Sequence, residues 1–472
     1  FCLSRGLGDV YKRQGQPKAG SDTLWQQELE PKGGIIGDFV YEPMGNGFYV
    51  WKWGNQRGIS KLAKIPEKDE ANKKEEYWKI KVDEHEIRFK KSLQYQIDSF
   101  LSNSLPYRTP SLEDAQKWVK GEFVSKRTQE VFSLGENYIR LLLDLEEEYE
   151  AKVLDLYVFQ TWLTRALTTV FNVDISGPFG GGKTTALEAL AEVCFHGVLG
   201  TTSPSNLGRM NEKYDISWTI DEYDKAKKAD KERLLDVFIR QGYRRGNRIY
   251  RHNADTGKEE WFNSFGPKAI SYHESLEKAL SQRSLMHVAL SKSIDYRLPI
   301  INTIRQQLSP IVFRELFFWY MDNIADIKAR ESTRGTESTR TFEVWVETHF
   351  NVNDEMPTGN FTGTGTSGTS GTLSKENVEE KRTTLYEAIV KDLNEDEKGF
   401  LQQLQARGCE LGFLAIKIAR LISVDVIEHL REALERKQLE EEESEFDPET
   451  IVRDILAVKI HQEGRTEIPQ KE

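Results

Sequence analysis

The sequence predicts an α/β fold: a five-stranded, mostly parallel sheet sandwiched by helices, with a β-rich unit before it and helical regions on both flanks. Three observations predict it. Phe171 to Leu187, FNVDISGPFGGGKTTAL, runs from a short apolar strand through a glycine turn into a helix. Asp215 to Glu222, DISWTIDE, is a second apolar strand, and it ends in paired carboxylates. Around these two, strand and helix patterns alternate as parallel βαβ units require.

The first stretch satisfies G-x-x-x-x-G-K-[ST] through Gly177, Gly182, Lys183 and Thr184. This spacing lets successive backbone N–H groups curl around a triphosphate at a helix N-terminus, which makes the stretch a P-loop for ATP. The nucleotide-binding residues are then Gly177, Pro178, Phe179, Gly180, Gly181, Gly182, Lys183, Thr184 and Thr185. Lys183 reaches the β- and γ-phosphates, the Thr184 hydroxyl ligates Mg²⁺, and Gly180 and Gly181 remove Cβ atoms that would block close backbone approach. A chance glycine-rich turn is the bland alternative, and the strand-before, helix-after context argues against it. In the second stretch Asp221 fits the Walker-B role, holding Mg²⁺, and Glu222 beside it orients or deprotonates the attacking water. An acidic loop start continuing into Asp224 is the alternative reading of that pair.

With 472 residues the chain has room for two or three domains and a sizeable core. Its net charge is −11, so contact with a polyanion must come from a local basic patch. Cys2, Cys194 and Cys409 stand far apart and in no metal spacing, which suits a reducing cytoplasm. The most apolar stretch, Leu154 to Val173, is interrupted by Asp155, Gln160 and Arg165, so a soluble protein without a membrane partner is expected.

Taken in order, residues 1–14 begin without Met and show neither the apolar core of a signal peptide nor a secondary-structure period. They resemble adapter read-through at the end of an assembled environmental fragment and are expected to be a non-native leader. Residues 22–91 form a small β-rich domain from the segments GGIIGDFVYEP, GFYVWKW and EYWKIKV. Its aromatics Phe48, Tyr49, Trp51, Trp53, Tyr77 and Trp78 fit two roles, the sheet's core face and a base-stacking platform beside Lys52, Arg57, Lys61 and Lys64; the core face is favoured. Residues 92–169 are helical, with Asp144 to Glu150 as a solvated face.

The ATPase core, 170–292, then reads as strand 171–177, helix from Lys183 to His196, strand 198–202, helix 204–213, strand 215–222, helix 230–241, a hairpin, and strands 267–273 and 284–290. The hairpin pairs Arg248 to His252 with Glu259 to Phe265 across a turn whose Gly257 suits a positive φ. Helical residues 293–350 lead to a flexible Gly/Thr/Ser linker at 351–374, a C-terminal helical domain at 375–438 and an acidic tail at 439–472. A glutamate after the Walker-B aspartate, within βαβ alternation, points to the P-loop NTPase branch that includes AAA+ and RecA-like motors.

Phe238 to Asn253, FIRQGYRRGNRIYRHN, holds five arginines and no acid within an acidic chain. Arg244, Arg245, Arg248 and Arg251 would track a nucleic-acid backbone in a ring pore, with Tyr243 and Tyr250 stacking, or would pair with a neighbour's carboxylates. The series GPFGGGKT, SWTIDEYD, GYRRGNRIYRH, FGPKAISYHESLEKALSQRS and RGCELGFLAIKIA resembles the AAA+-like helicase ATPases of phages, plasmids and archaeal mobile elements, over about Val153 to Leu290 and, more weakly, Arg407 to Leu421. Such proteins carry a stretch close to FGPKALAG…LPDTLADR. Here Ser271, Tyr272 and His273 follow the strand, and Ser281 and Gln282 precede Arg283. The resemblance implies sensor roles for Ser271 or His273, and for Arg283 a trans-acting arginine finger, against a plain salt bridge to an acid such as Glu277 and with Arg244, Arg245 and Arg248 as competitors. It also implies a homo-oligomeric ring working on single-stranded or forked nucleic acid, DNA above RNA, in mobile-element replication. Two other readings stay open: a nucleotide-dependent switch or assembly ATPase, and a P-loop nucleotide kinase.

Overall fold

The computed structural model describes residues 27–68, 74–102, 104–145, 147–200, 204–221, 223, 232–253, 257–272, 283–290, 298–349, 393–403 and 406–445. The leader at 1–14, the linker at 351–374, the tail beyond 445, Glu222, Asp224, His273, Glu277, Ser281 and Gln282 lie outside the described residues.

The N-terminal segment forms two antiparallel sheets. Strands β1 (Gly34–Ile36), β2 (Phe39–Gly45), β3 (Phe48–Trp53) and β4 (Gln56–Lys61) follow one another as a meander, and β5 (Ala63–Lys68), β6 (Lys74–Val82) and β7 (His85–Arg88) make a second. Alternation puts Phe39, Tyr41, Tyr49 and Trp51 on one face, where they pack with Ile80, Val82, Ile87 and Phe89. Tyr49 and Trp51 are therefore core and no stacking platform: the Tyr49 hydroxyl donates to Pro31 O (2.6 Å), and Trp51 Nε1 donates to Ser60 Oγ (2.9 Å).

A short turn of helix, α1 (Gln94–Ile97), precedes α2 (Leu112–Val119), α3 (Thr128–Leu142) and α4 (Glu148–Leu163). Helix α4 is buried on almost every side from Tyr149 to Leu163, so the solvated face expected at Asp144 to Glu150 stops short of Glu150. The Glu150 carboxylate instead accepts from the backbone N–H of Glu147 as a cap (3.1 Å). Gln160 uses both ends of its amide on Phe171, donating to its carbonyl (2.9 Å) and accepting from its N–H (2.8 Å), and so fixes where the next strand begins.

The central sheet holds β8 (Asn172–Ser176), β9 (Gly197–Gly200), β10 (Ser217–Ile220), β13 (Lys268–Ser271) and β14 (Ser284–Ala289), in the order β14-β8-β13-β10-β9. All four pairings are parallel. Helices α5 (Lys183–Val193), α6 (Pro204–Tyr214) and α7 (Glu232–Gln241) make the crossovers, and the antiparallel hairpin β11 (Arg248–Asn253) and β12 (Lys258–Asn263) stands between α7 and β13. On one face of the sheet Trp218, Ile220 and Ile270 pack with Leu207, Phe238 and Ile239. On the other, Val173 and Ile175 pack with α4, α5 and the long helix α8 (Leu298–His349) through Phe159, Trp162, Leu187, Leu190, Phe313 and Phe317. After the linker come α9 (Glu395–Gln403), α10 (Ala406–Ile422) and α11 (Val424–Glu445), and Ala415, Ile416 and Leu430 join that same core. Among the described residues no helix is long and apolar enough to cross a membrane.

Lys268, fully buried at the start of β13, donates through Nζ to Ser264 O (3.0 Å) and Gly266 O (2.6 Å), tying down the exit of the hairpin. Burial pushes its ammonium down to about 7. A depressed lysine means that the unfolded chain holds the extra proton between pH 7 and its ordinary value of 10.5, so this residue's contribution to stability rises with pH across that window and falls as pH drops through it. Chemical denaturation from pH 7 to 10 should show this rise in wild type and lose it in Lys268→Met.

Candidate nucleotide site

Parallel strands deliver their C-terminal ends to one edge of the sheet, and the three that matter are neighbours. Strand β8 ends at Ser176 and runs into the P-loop, β10 ends beside Asp221, and β13, lying between them, ends at Ser271. The loop has the backbone that the glycines permit. Gly180 and Gly182 sit at φ +78° and +86°, and a Cβ on Gly177, at φ +149°, would stand 2.6 Å from Leu290 O. Gly182 is the left-handed N-cap of α5, whose buried face of Lys183, Ala186, Leu187 and Leu190 repeats at three and four.

Lys183 is buried, and its Nζ donates to Gly177 O (2.6 Å) and Pro178 O (2.9 Å), so its ammonium lies within the loop. Thr184 Oγ1 donates to Asp221 Oδ2 (2.7 Å), and Ser271 Oγ donates to Asp221 Oδ1. One carboxylate thus bridges a P-loop hydroxyl and a hydroxyl from the intervening strand. Thr184 and Asp221 offer hard oxygen donors side by side at a helix N-terminus, a set that fits Mg²⁺ completing its shell with phosphate oxygens and water. Phe179 stands exposed at the loop tip, 5.9 Å from the Lys183 ammonium.

Sequence reasoning missed a cluster just beneath. His287, on β14, has Ser176 Oγ 3.0 Å from Nε2, the Tyr272 hydroxyl 2.8 Å from Nδ1, and the buried Asp174 carboxylate 3.4 Å from Nδ1. Ser176 opens the P-loop and Tyr272 follows Ser271, so this one ring touches both halves of the site. Only the parallel register, which sets His287 opposite Asp174, reveals it. If this edge turns over a nucleotide, loss of these contacts in His287→Ala should lower kcat about tenfold, the scale of one or two hydrogen bonds, with nucleotide Kd unchanged. His287→Asn, which keeps one donor and one acceptor, should recover part of it.

The arginines gather at the opposite edge. Arg283, at the N-terminal end of β14, is 9% exposed, donates through Nε to Arg240 O (2.9 Å) and lies 5.7 Å from the Tyr243 ring centre. Within the single chain, the guanidinium expected to act as a finger is therefore largely covered, held against Arg240 O and the Tyr243 ring. Arg245 donates to Leu167 O (3.0 Å) and Thr164 O (2.6 Å). Arg244, Arg245 and Arg248 are all exposed, and Arg251 stands opposite Glu260 in the hairpin register. The hairpin also presents two exposed aromatics, Tyr250 and Trp261, cross-strand partners with ring centres 5.0 Å apart. Trp261, on the second strand, falls outside the basic segment by which the sequence marks this hairpin.

No protein-family model matches the sequence, and no curated protein matches it. Solved structures resemble it in part. A JCV helicase structure is 12% identical over 43% of this chain and 60% of its own, with a TM-score of 0.27. A full-length MCM homolog from Methanopyrus kandleri is 11% identical over 85% and 76%, with a TM-score of 0.34. The C-terminal region of NrS-1 is 11% identical over 67% and 85%, with a TM-score of 0.28. The match to the first of these spans about three fifths of that protein's length. Superpositions this loose assign neither family nor activity.

Proposed function

We propose that this chain is an ATP-hydrolysing motor, a ring-forming DNA helicase or translocase serving the replication of a mobile genetic element in the cytoplasm. The observation that supports its catalytic half best is the Thr184–Asp221–Ser271 clasp beside Lys183, which brings metal ligands, phosphate cation and sensor hydroxyl to the ends of three adjacent strands. The β- and γ-phosphates of ATP lie along the backbone of Gly180 to Thr184 with Lys183 against them. Mg²⁺ held by Thr184 and Asp221 supplies neutralisation of phosphate charge when bound. Glu222 takes the proton of the attacking water, and Ser271 keeps Asp221 in register with the γ-phosphate. With Arg283 turned inward, the arginine offered to a neighbouring subunit is Arg244 or Arg248.

The nucleic-acid half rests on the hairpin, where an exposed aromatic pair and Arg248 combine π-faces with charge, the means by which single strands are held without regard to sequence. Steady-state ATP turnover with and without single-stranded DNA tests it. Stimulation is expected, and Tyr250→Ala combined with Trp261→Ala should weaken strand binding by about 1–3 kcal/mol, at least fivefold in affinity. Turnover that ignores DNA altogether would pass the assignment to a switch or assembly ATPase.

A further inference from the structure

The sheet edge and the hairpin leave one strongly basic feature unused. A cleft of about 540 Å³ opens where the β3–β4 turn, the segment leading into α3, and α8 meet, far in sequence from both the P-loop and the hairpin. Its walls carry four cations, Lys52, Arg57, Lys126 and Arg127, in a chain whose net charge is −11.

The carboxylates near it are already engaged. Asp322 accepts at Oδ1 from Arg57 (2.8 Å) and at Oδ2 from Ser125 Oγ (2.8 Å) and Trp118 Nε1 (3.2 Å), so most of its acceptor capacity is used and its charge is offset by Arg57. Glu130 accepts from the backbone N–H of Arg127 as the cap of α3 (3.1 Å). Arg57 is further fixed by donating to Trp118 O (3.2 Å), with its guanidinium 4.5 Å from the Trp118 ring centre. Lys52 gives one donor to Asp322 O (2.7 Å), leaving two N–H groups of its ammonium. Lys126 and Arg127 are exposed at the rim. The one aromatic in the lining, Trp319, is buried and donates through Nε1 to Thr128 Oγ1 (3.1 Å), so no ring is offered for a base to stack on. A site with cations, amides and hydroxyls but no open π-face offers charge and hydrogen bonds to phosphate and no surface for a base to stack on.

We propose that this cleft is a second contact for the nucleic-acid strand, binding its phosphodiester backbone through Lys126 and Arg127 at the rim and Lys52 within. The proposal rests on the nucleic-acid reading above and extends it to the N-terminal β unit. A strand gripped at two places is held at one while the other releases, which is what a translocating motor needs.

The test is fluorescence anisotropy of a labelled oligothymidylate, titrated with protein over a range of salt concentrations. Lys126→Gln combined with Arg127→Gln should make the slope of log affinity on log salt shallower by about 1.4, about 0.7 for each phosphate that is no longer neutralised. Lys126→Glu with Arg127→Glu should lower affinity at least tenfold at low salt. Both positions are exposed, so melting temperatures should stay at the wild-type value, and that separates a weakened grip on the strand from a damaged fold. Wild-type affinity and slope in both variants, with the wild type binding normally, would overturn the cleft and leave the hairpin reading standing. A wild type that binds no strand at any salt would overturn both. Calorimetry with inorganic pyrophosphate in a Lys183→Ala background separates the sources of phosphate. Pyrophosphate binding that the double variants abolish while strand binding stays intact would make the cleft a site for a free phosphate ligand and overturn its assignment to the strand.

Discussion

Lys183→Ala protein is expected to hydrolyse ATP about 10²–10³-fold more slowly than wild type, the loss that follows removal of one preorganised electrostatic group. The reason is visible in the loop. The ammonium is buried within the loop, donating to the carbonyls of Gly177 and Pro178. Burial and these two hydrogen bonds hold a cation within the loop, where charge developing on the β- and γ-phosphates would meet it. Alanine leaves those two carbonyls without their donor and the transition-state charge without its counter-ion. Nucleotide affinity should fall as well, because the same cation faces the ground-state phosphates. Turnover and titration with a fluorescent ATP analogue read the two effects separately. Wild-type turnover in this variant would end the P-loop assignment and every functional inference built on it.

The glycine loop after β8 and the strand end at Asp221 are legible in the sequence because their geometry is local. A glycine-bounded turn between an apolar strand and a helix constrains a dozen consecutive residues, and Asp221 needs only an apolar strand before it. The existence and chain order of the central strands are legible for the same reason, while the strands themselves are shorter than expected, β10 running only from Ser217 to Ile220 within the expected 215–222. What is non-local stayed hidden. His287 reads as an ordinary polar residue in SLMHVA, and only the pairing of β14 with β8 places it between Ser176 and Tyr272. Arg283 shows the converse. Its place in the sequence, ahead of a strand, fits a finger, but its exposure depends on how the end of α7 and Tyr243 close over it. Spacing carries no record of that. Glu150 and Trp51 make the same point in the other direction, a charge and an aromatic whose neighbours in space decide against solvent and against stacking.

Glu222→Gln should bind ATP with wild-type affinity and hydrolyse it about 10²–10⁴-fold more slowly, the usual range for a general base. Glu222 lies outside the described residues, but its neighbour fixes the expectation. Asp221 is committed by both oxygens to Thr184 and Ser271, so it is occupied in holding the site together and is poorly placed to take a proton from water. The adjacent carboxylate is the base that remains, and amide replacement removes its basicity while keeping its size. Because the ground state does not depend on that proton transfer, binding survives. The variant then becomes a probe of assembly. Mixed with Arg244→Ala subunits, themselves slow if Arg244 serves the neighbour's γ-phosphate, it should restore part of the turnover, since some interfaces unite an intact Glu222 with an intact donated arginine. Mixed with Arg283→Ala it should not, because a guanidinium held inside its own subunit donates nothing across an interface. Steady-state ATPase against mixing ratio, with co-assembly followed by sizing, reads both. Rescue by Arg283→Ala and not by Arg244→Ala would mean that the ring turns Arg283 outward on assembly and would return the finger to it. A full-speed Glu222→Gln enzyme would move the base to another residue.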